Sequence, residues 1–356
     1  MPKIKLKWLD LKVVALGLCV GLLVACSPGG EQEILRLAGQ TMGTSYRVVA
    51  IDSPSPAEEL QAAIERSLDE VNGRFSNWDP ESEVSILNEA DSLQAISVSQ
   101  EFVRLMQIAN RVHQRSLGYF DVTLGPLIDL WGFGPSTDSG ELEMLVPDPH
   151  LILETMQHVG QDRLLVLDEE SSTIQKLNSE VSINLSAIAK GHAVDRLGDV
   201  LAEFGVKNSM IEIGGDLAAR GHNQHERPWQ IAIERPDAAG ASVQKIVPLS
   251  DLAMATSGDY RNYFEQDQVR YSHIIDPQTG HPITHRTASV TVLAETAARA
   301  DAWATALLAL GRDRGLPIAE QHKLAVFFID RARSNENLEF EVTASSAFRA
   351  IDAQDS

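Results

Sequence analysis

The sequence predicts an α+β fold in which largely antiparallel sheets pack against helices. Between residues 208 and 260, successive short segments alternate apolar and polar side chains, as antiparallel strands with one buried face do. Segments in which apolar residues recur at helical spacing are interspersed with these strands. Runs of antiparallel strands with interspersed helices are typical of the α+β class.

The first part of the chain contains both kinds of element. Residues 34–51 are strand-like, and residues 53–75 predict a helix that opens with proline and early acidic residues. Residues 75–88 predict a turn into a short helix, and residues 101–118 predict an amphipathic helix that ends at a glycine. Residues 118–135 are rich in glycine and aromatic residues, which suggests the wall of a pocket.

The second part continues the same mixture. Residues 147–160 predict a helix, and residues 162–177 predict a β-hairpin. After the alternating strands, residues 288–311 predict a strand followed by a long helix, and residues 323–330 predict a late strand. We find no repeat of fixed period, so the chain does not predict a solenoid or propeller.

Residues 181–196, VSINLSAIAKGHAVDR, predict a phosphate-binding turn. The alternating run 181–185 predicts a strand, which breaks into small residues before Gly191 and a helical run. A strand, a turn of small residues and a helix start leave backbone N–H groups free to bind a phosphate. Lys190 would add a positive charge at the same place. The alternative is an ordinary strand–helix turn with a solvated lysine.

Asp301 and Thr305 form a candidate metal site. The helix that contains them is almost wholly apolar, and a carboxylate on its buried stripe is costly unless something pairs with it. Their spacing of four residues lets both oxygens point at one ion, and oxygen ligands of this kind suit Mg²⁺. The alternative is an ion pair between Asp301 and Arg299 or Arg312, with the threonine bonded to its own helix.

His273 is the candidate general base. It lies where a strand runs into an Asp-Pro turn, and a histidine in such a place can accept a proton or bind a phosphate. The alternative is a hydrogen-bonded structural histidine. The chain contains neither a G-x-G-x-x-G fingerprint nor a Walker A motif, which disfavours Rossmann and P-loop nucleotide sites.

The N-terminus predicts a bacterial lipoprotein signal peptide. Several lysines precede an apolar run too short for a comfortable membrane span, and the run ends Leu-Val-Ala-Cys-Ser, which fits a lipobox. We therefore interpret residues 1–25 as the signal peptide, Cys26 as the lipidated residue, residues 26–33 as a tether and residues 351–356 as a polar tail. The alternatives are an ordinary secretory signal and an uncleaved anchor. The lipoprotein interpretation places the protein in the cell envelope, with its globular part outside the cytoplasm.

The charge and the cysteine content narrow the class of partner. The formal net charge is −20, which argues against nucleic acid or bare anionic lipid as a partner and requires a local cation for any anionic ligand. Of the two cysteines, Cys19 lies in the predicted signal peptide, so the mature chain would have no disulfide. Stability would then depend on apolar burial.

A series of short motifs identifies a family. In chain order they are TMGT (41–44), FSNW (75–78), GYFDVTLGPL (118–127), NLSAIAKG (184–191), IEIGGD (211–216), ATSGDY (255–260), HIIDPQTG (273–280) and ADAWATAL (300–307). This series resembles the FAD:protein FMN transferases, the ApbE-type flavin transferases, across roughly residues 36–345. The resemblance implies an ApbE-like fold, with the catalytic domain in residues 34–350.

The resemblance also implies a reaction. A Ser or Thr hydroxyl of a target protein would attack the FMN-side phosphorus of FAD with the help of Mg²⁺, and AMP would leave. The usual targets in the family are exported acceptor proteins, among them flavin-carrying subunits of Rnf- and Nqr-type redox complexes. The rival interpretations are hydrolysis of FAD to FMN and AMP at the same site, and a non-catalytic flavin-binding lipoprotein.

The residues that the resemblance assigns fall into two groups. The metal would be bound by Asp301, Thr305 and a backbone oxygen at Ala187, with Ala304 adjoining. The FAD contacts would be Met42, Trp78, Tyr119, Phe120, Asp121, Asn184, Lys190 and Ile275. Many members of the family have aspartate where Asn184 stands, so this chain keeps a hydrogen-bonding side chain there without its charge.

Overall fold

The computed structural model describes residues 33–90, 93–134, 146–237, 242–332 and 339–353. The predicted signal peptide, Cys26 and nearly all of the tether therefore lie outside the described residues, as does the end of the predicted polar tail. Within the described ranges, no helix combines the length and apolar character needed to span a membrane. The predicted domain boundaries stay predictions.

An eight-stranded sheet forms the centre of the fold, in the strand order β1-β2-β6-β7-β10-β13-β14-β15. Every neighbouring pair in it is antiparallel, so the predicted α+β class is confirmed. Its strands are β1 (Ile34–Thr41), β2 (Thr44–Ile51), β6 (Asn208–Ile213), β7 (Asp216–Arg220), β10 (Leu252–Gly258), β13 (Thr287–Ala294), β14 (Ala325–Arg331) and β15 (Phe340–Ala344).

Smaller antiparallel sheets accompany the main sheet. One contains β3 (Ile96–Ser97), β5 (Thr173–Lys176) and β4 (Leu165–Asp168), of which the last two are the predicted hairpin. Another pairs β8 (Trp229–Glu234) with β9 (Val243–Leu249), and a third pairs β11 (Tyr263–Gln266) with β12 (Val269–Ser272).

The helices of the described residues begin at polar caps in several places. Ser82, Ser99, Asp148 and Thr296 each accept a hydrogen bond from a backbone N–H of the helix that follows. The helices are α1 (Ala57–Phe75), α2 (Glu83–Glu89), α3 (Gln100–Arg115), α4 (Gly125–Leu130), α5 (Pro149–Thr155), α6 (Gln161–Leu164), α7 (Ser186–Glu203), α8 (Ala297–Gln321) and α9 (Ser346–Asp352).

The main sheet is buried on both faces. Val326 and Phe328 of β14 lie in the larger core, which contains the apolar sides of α1, α3, α7 and α8. Phe327 and Ile329 of the same strand pack in a second core with β8, β9 and α9. A strand that is covered on both faces has no polar side, which explains the continuous apolar run of residues 324–329.

The predicted strand at residues 181–185 is wrong, because this segment joins no sheet. Side-chain amides occupy the backbone groups that a neighbouring strand would need. Ile183 donates its N–H to Asn88 Oδ1 at 2.7 Å, and its carbonyl accepts from Asn77 and Asn88 Nδ2, both at 2.8 Å. Helix α7 begins at Ser186, so Lys190 and Gly191 lie inside the helix rather than in a turn before it.

Candidate active site

A cavity of about 630 Å³ lies against α7, α8, β8 and β10, within the size range of small-molecule sites. It brings together most of the residues that the sequence analysis selected. The predicted FAD contacts at its wall are Tyr119, Phe120, Asp121, Asn184, Lys190 and Ile275. The predicted metal ligands Ala187, Asp301 and Thr305 and the candidate base His273 also line it.

Met42, Trp78 and Ala304 do not line this cavity. Met42 lies in the turn between β1 and β2, and Trp78 is 57% exposed. Ala304 is fully buried on α8, one residue before Thr305. The roles that the resemblance assigns to these residues stay predictions.

Charged residues from three elements meet beside the cavity, which Lys190 and Asp301 line. Lys190 of α7 forms an ion pair with Asp216 at the start of β7, and its Nζ lies 4.0 Å from Asp301 Oδ1 of α8. Both carboxylates are almost completely buried. Two carboxylates and one ammonium leave this group, the Lys190 cluster, one positive charge short of neutrality when all three ionise.

The pKa shifts of Asp301 and Lys190 reflect the excess of negative charge in the Lys190 cluster. Burial raises the pKa of Asp301 to about 7, and the nearby Asp216 acts in the same direction. Burial opposes the charge of Lys190, but Asp216 and Asp301 outweigh it and raise the pKa of the lysine above its ordinary value. A cation beside Asp301 would therefore relieve an unfavourable buried charge.

The close approach of α7 and α8 fixes this cluster. The N–H of Gly191 donates to Asp301 Oδ2 at 3.1 Å. A Cβ on Gly191 would lie only 2.3 Å from the carbonyl oxygen of Ala297, so the crossing requires glycine. Asp195, one turn further along α7, accepts hydrogen bonds from the N–H groups of Ala297 and Ala298 and so binds the start of α8.

The oxygen donors next to the cluster suit a hard cation. Thr305 Oγ1 lies 3.1 Å from Ser257 Oγ, one turn along α8 from Asp301. In a regular helix the Gly191 N–H would bond to the carbonyl of Ala187, so Asp301 competes with this carbonyl for its donor. Carboxylate, hydroxyl and carbonyl oxygens are the ligands that Mg²⁺ takes, usually together with substrate phosphates. Among the described residues, no group of three or more His, Cys, Asp and Glu side chains is placed to hold a metal.

His273 presents one ring nitrogen for proton transfer. Its Nδ1 donates to the carbonyl of Asn262 at 3.0 Å, because a carbonyl oxygen only accepts. In the neutral ring Nε2 therefore keeps its lone pair. Burial lowers the pKa of His273 below its ordinary value, so the ring is neutral at pH 7. This arrangement suits a general base.

Asp121 and Asn184 serve the backbone around the cavity. Asp121 Oδ1 accepts from the N–H of Thr123 at 2.8 Å, and its Oδ2 accepts from the N–H of Gln161 at 3.0 Å. Asn184 Oδ1 accepts from the N–H of Ser186, the first residue of α7, at 3.0 Å. An amide oxygen performs this last task as well as a carboxylate, which is one reason why asparagine fits here.

Tyr119 is held from outside the cavity. The guanidinium of Arg314 lies over its ring, with Cζ 4.6 Å from the ring centroid, and donates to its hydroxyl. Arg314 follows a kink of α8 at Gly311, where φ is +70° and a Cβ would meet the ring of His285. The kink thus turns the second part of α8 toward the predicted pocket wall.

Asp216 and Ser257 have no predicted role, although they lie in the motifs IEIGGD and ATSGDY. Asp216 follows Gly214 and Gly215, whose φ angles of 56° and 100° form the turn between β6 and β7. An acidic residue at a strand position next to such a turn is a usable signal, but its burial against Lys190 depends on the helix that crosses the sheet.

Comparisons with known proteins agree with the geometry. The sequence profile of the ApbE family matches residues 42–328. The chain is similar to the FAD:protein FMN transferase of Vibrio cholerae serotype O1, with 41% identity over 92% of this chain and 95% of the relative. It is also similar to the Haemophilus influenzae protein of the same name, with 38% identity over 92% and 94%.

Solved structures give the same result for the fold. The flavin transferase ApbE from Vibrio cholerae superposes with a TM-score of 0.81 and 39% identity, covering 90% of this chain and 99% of that chain. The apo form of the flavinyl transferase ApbE from Pseudomonas stutzeri superposes with a TM-score of 0.80 and 34% identity, covering 90% and 97%.

Proposed function

From the premise that the chain belongs to the ApbE family and is an FAD:protein FMN transferase, we propose the details of its reaction. The enzyme transfers FMN from FAD to a Ser or Thr hydroxyl of an exported acceptor protein and releases AMP. The observation that supports this most strongly is the Lys190 cluster, which lies beside Thr305 and Ser257 in the cavity. Acceptors of the Rnf and Nqr type are the expected partners.

The proposed step is a substitution at phosphorus. The acceptor oxygen forms a bond to the FMN-side phosphorus, and the bond from that phosphorus to the bridging oxygen breaks, so AMP leaves with this oxygen. The acceptor proton goes to Nε2 of His273, whose Nδ1 is held by Asn262. Lys190 offsets part of the charge on the pyrophosphate, and Asp216 keeps its ammonium in place.

A divalent cation completes the proposed site. Asp301, Thr305 and the carbonyl of Ala187 would hold Mg²⁺, with Ala304 adjoining. When bound, the ion neutralises charge on the phosphate oxygens of FAD. Tyr119 and the apolar residues of the pocket wall would position the aromatic rings of the substrate.

One assay distinguishes the transferase from its rivals. The purified protein is incubated with FAD, Mg²⁺ and the flavin-carrying domain of an Rnf- or Nqr-type subunit, and AMP, free FMN and protein-bound flavin are followed together. We expect AMP and protein-bound flavin to appear in equal amounts. Hydrolysis would give AMP with free FMN, and a binding protein would give neither product.

The proton acceptor can be tested by a substitution at His273. We expect His273→Ala to lower single-turnover transfer by about 10²–10⁴-fold while the Kd for FAD changes by only a few-fold. The neutral ring is the base, and burial lowers its pKa below 6.5, so the wild-type rate should rise with pH with its midpoint below pH 6.5. His281→Ala, in the turn that follows, is the matched control and should keep both the rate and the pH profile. A wild-type transfer rate for His273→Ala would exclude it as the base.

The proposed lipid anchor is tested at Cys26. We expect Cys26→Ser to move the protein from the membrane fraction to the soluble fraction, because each buried CH₂ of an acyl chain contributes about 0.8 kcal/mol to membrane binding. Cys19→Ser changes the other cysteine of the same leader and should leave the protein membrane-bound. If Cys26→Ser fractionates like the wild type, the anchor is of another kind.

A further inference from the structure

Strand β8 has one edge without a neighbouring strand among the described residues. It belongs to a two-stranded sheet in which it pairs with β9 alone. An unpaired strand edge carries a row of backbone donors and acceptors that another extended chain can bind. Among the described residues, the backbone groups of Gln230, Ala232 and Glu234 make no hydrogen bond outside the β8–β9 sheet.

Two contacts decide which backbone groups point outward. Gln230 lies opposite Pro248, which has no N–H to donate, so this is a pair without hydrogen bonds between the strands. The N–H of Arg235 donates to the carbonyl of Ser242 on the β9 side at 2.8 Å. The register shifts between Ile233 and Glu234, but the extra residue, Gln244, lies on β9, so orientation still alternates along β8 and its odd-numbered residues bond to β9. The N–H and C=O groups of Gln230, Ala232 and Glu234 therefore point away from it.

The free edge faces the active-site cavity. Every residue from Gln230 to Glu234 lines the cavity. A strand that presented one face would contribute only alternate residues, so the cavity meets the edge of β8. The side chains of Ile231 and Ile233 are buried in the core with Met254 of β10.

We propose that the acceptor protein binds as an added strand along this edge of β8, with its reactive Ser or Thr in an extended segment. The inference rests on the proposed function, which requires a protein hydroxyl to reach the Lys190 cluster. An extended peptide segment can form hydrogen bonds with the alternating N–H and C=O groups at a strand edge. Specificity then comes from side chains at alternate positions of the acceptor.

The pleat of the sheet fixes which acceptor residue reacts. Residues directly opposite each other on paired strands have their side chains on the same face. A residue opposite Ile231 or Ile233 points toward the main sheet, where Thr256 and Ser257 of β10 line the cavity. Its hydroxyl thereby approaches Thr305, whose Oγ1 lies 3.1 Å from Ser257 Oγ.

Charges at the cavity rim match a backbone ligand. Glu234 pairs with Arg261 at 2.6 Å, and Arg47 lies directly opposite Glu212 on the neighbouring strand. Three cationic side chains and four carboxylates line the cavity in all, so its charge is close to balanced although the chain carries a net charge of −20. An uncharged extended backbone is complementary to this rim, whereas a strongly acidic or basic surface would gain little from it.

The first test changes the acceptor and leaves the enzyme intact. A synthetic segment of the acceptor domain, centred on its flavinylated threonine, is N-methylated at one backbone nitrogen at a time. We expect the KM for the segment to rise at least about 10-fold at every second position and to change little at the positions between. A KM profile without this alternation overturns the inference.

The second test uses the whole acceptor domain at saturating FAD. Ala232→Pro removes an outward N–H and blocks a neighbouring strand, but it keeps the bonds to β9 because the Ala232 N–H does not face that strand. We expect its KM for the domain to rise at least about 10-fold. Ala232→Val keeps the N–H and should give a much smaller rise.

The outcomes separate this inference from the proposed function. A wild-type protein that transfers FMN to no acceptor contradicts the function itself. A wild type that modifies the domain, with equal KM values for Ala232→Pro and Ala232→Val, contradicts the added strand alone. If Ala232→Pro does not fold, the N-methyl profile measured with the wild-type enzyme decides.

Discussion

We expect Asp301→Asn to lower FMN transfer by at least about 10³-fold while the protein stays folded. The substitution keeps the size of the side chain and removes the charge that would hold a cation against the substrate phosphates, a contribution of several kcal/mol. The fold should tolerate it, because the carboxylate is buried and its pKa is raised by burial. Single-turnover transfer and thermal unfolding measure the two effects.

The pH dependence of stability provides a second readout for Asp301. Its pKa rises from 3.8 in the unfolded chain to about 7 in the fold, so the folded state binds the proton more tightly. Without divalent cations, the wild type should therefore lose stability relative to Asp301→Asn as the pH rises from about 4 to about 7. Mg²⁺ should reduce this difference.

Asp330→Asn is the matched control for a buried aspartate. Asp330 is equally buried but lies outside the cavity, where Thr287 donates to Oδ1 at 2.6 Å and Arg312 lies 3.0 Å from Oδ2. Asp330→Asn should lower the free energy of unfolding without changing the Mg²⁺ concentration needed for half-maximal transfer. Full transfer by Asp301→Asn, or EDTA resistance of the wild type, would contradict the metal assignment.

We expect Gly191→Ala to destabilise the protein by about 3 kcal/mol or more and to abolish transfer. The added Cβ would lie 2.3 Å from the carbonyl oxygen and 2.5 Å from the carbonyl carbon of Ala297, and backbone atoms cannot move aside as a flexible side chain can. Helices α7 and α8 would have to separate, which removes Asp301 from Lys190. Urea unfolding and the transfer assay measure these losses.

Gly73→Ala tests the same change without the collision. Gly73 lies in α1, and a Cβ there meets no other atom within 4 Å. In a helix this change should stabilise the protein by up to about 1 kcal/mol, because alanine loses less backbone entropy on folding. If both glycine variants unfold at the same urea concentration, the crossing of α7 and α8 is not the constraint described above.

Much of the secondary structure follows from local patterns. Alternating apolar residues correctly predicted β6, β7, β8, β9 and β10, and helical spacing correctly predicted α1 and α3. The long helix predicted up to residue 311 is the first part of α8, which continues past a kink at Gly311 to Gln321. Residues 181–185 alternate in the same way and are not a strand, because Asn77 and Asn88 bond to the backbone of Ile183. These amides are about a hundred residues away in the chain, so no local pattern could reveal them.

Part of the candidate site could likewise be predicted from the sequence, and part depends on the tertiary structure. A carboxylate on an apolar helix marks Asp301 in the sequence, and the order of the motifs indicates the family. The roles assigned to the individual site residues and to Cys26 remain predictions. Asp216 received no role, because its partner Lys190 approaches it only after α7 packs across the sheet.

By itself, the sequence determined the class of fold, the family and the residues able to carry charge at the site, since these depend on side-chain type and local spacing. The tertiary structure alone decided that Lys190 sits between two buried carboxylates, that Gly191 touches the backbone of Ala297, and that the free edge of β8 faces the cavity. Each of these depends on contacts between distant segments. The energies of these contacts arise from burial and close packing, which exist only once the chain has folded.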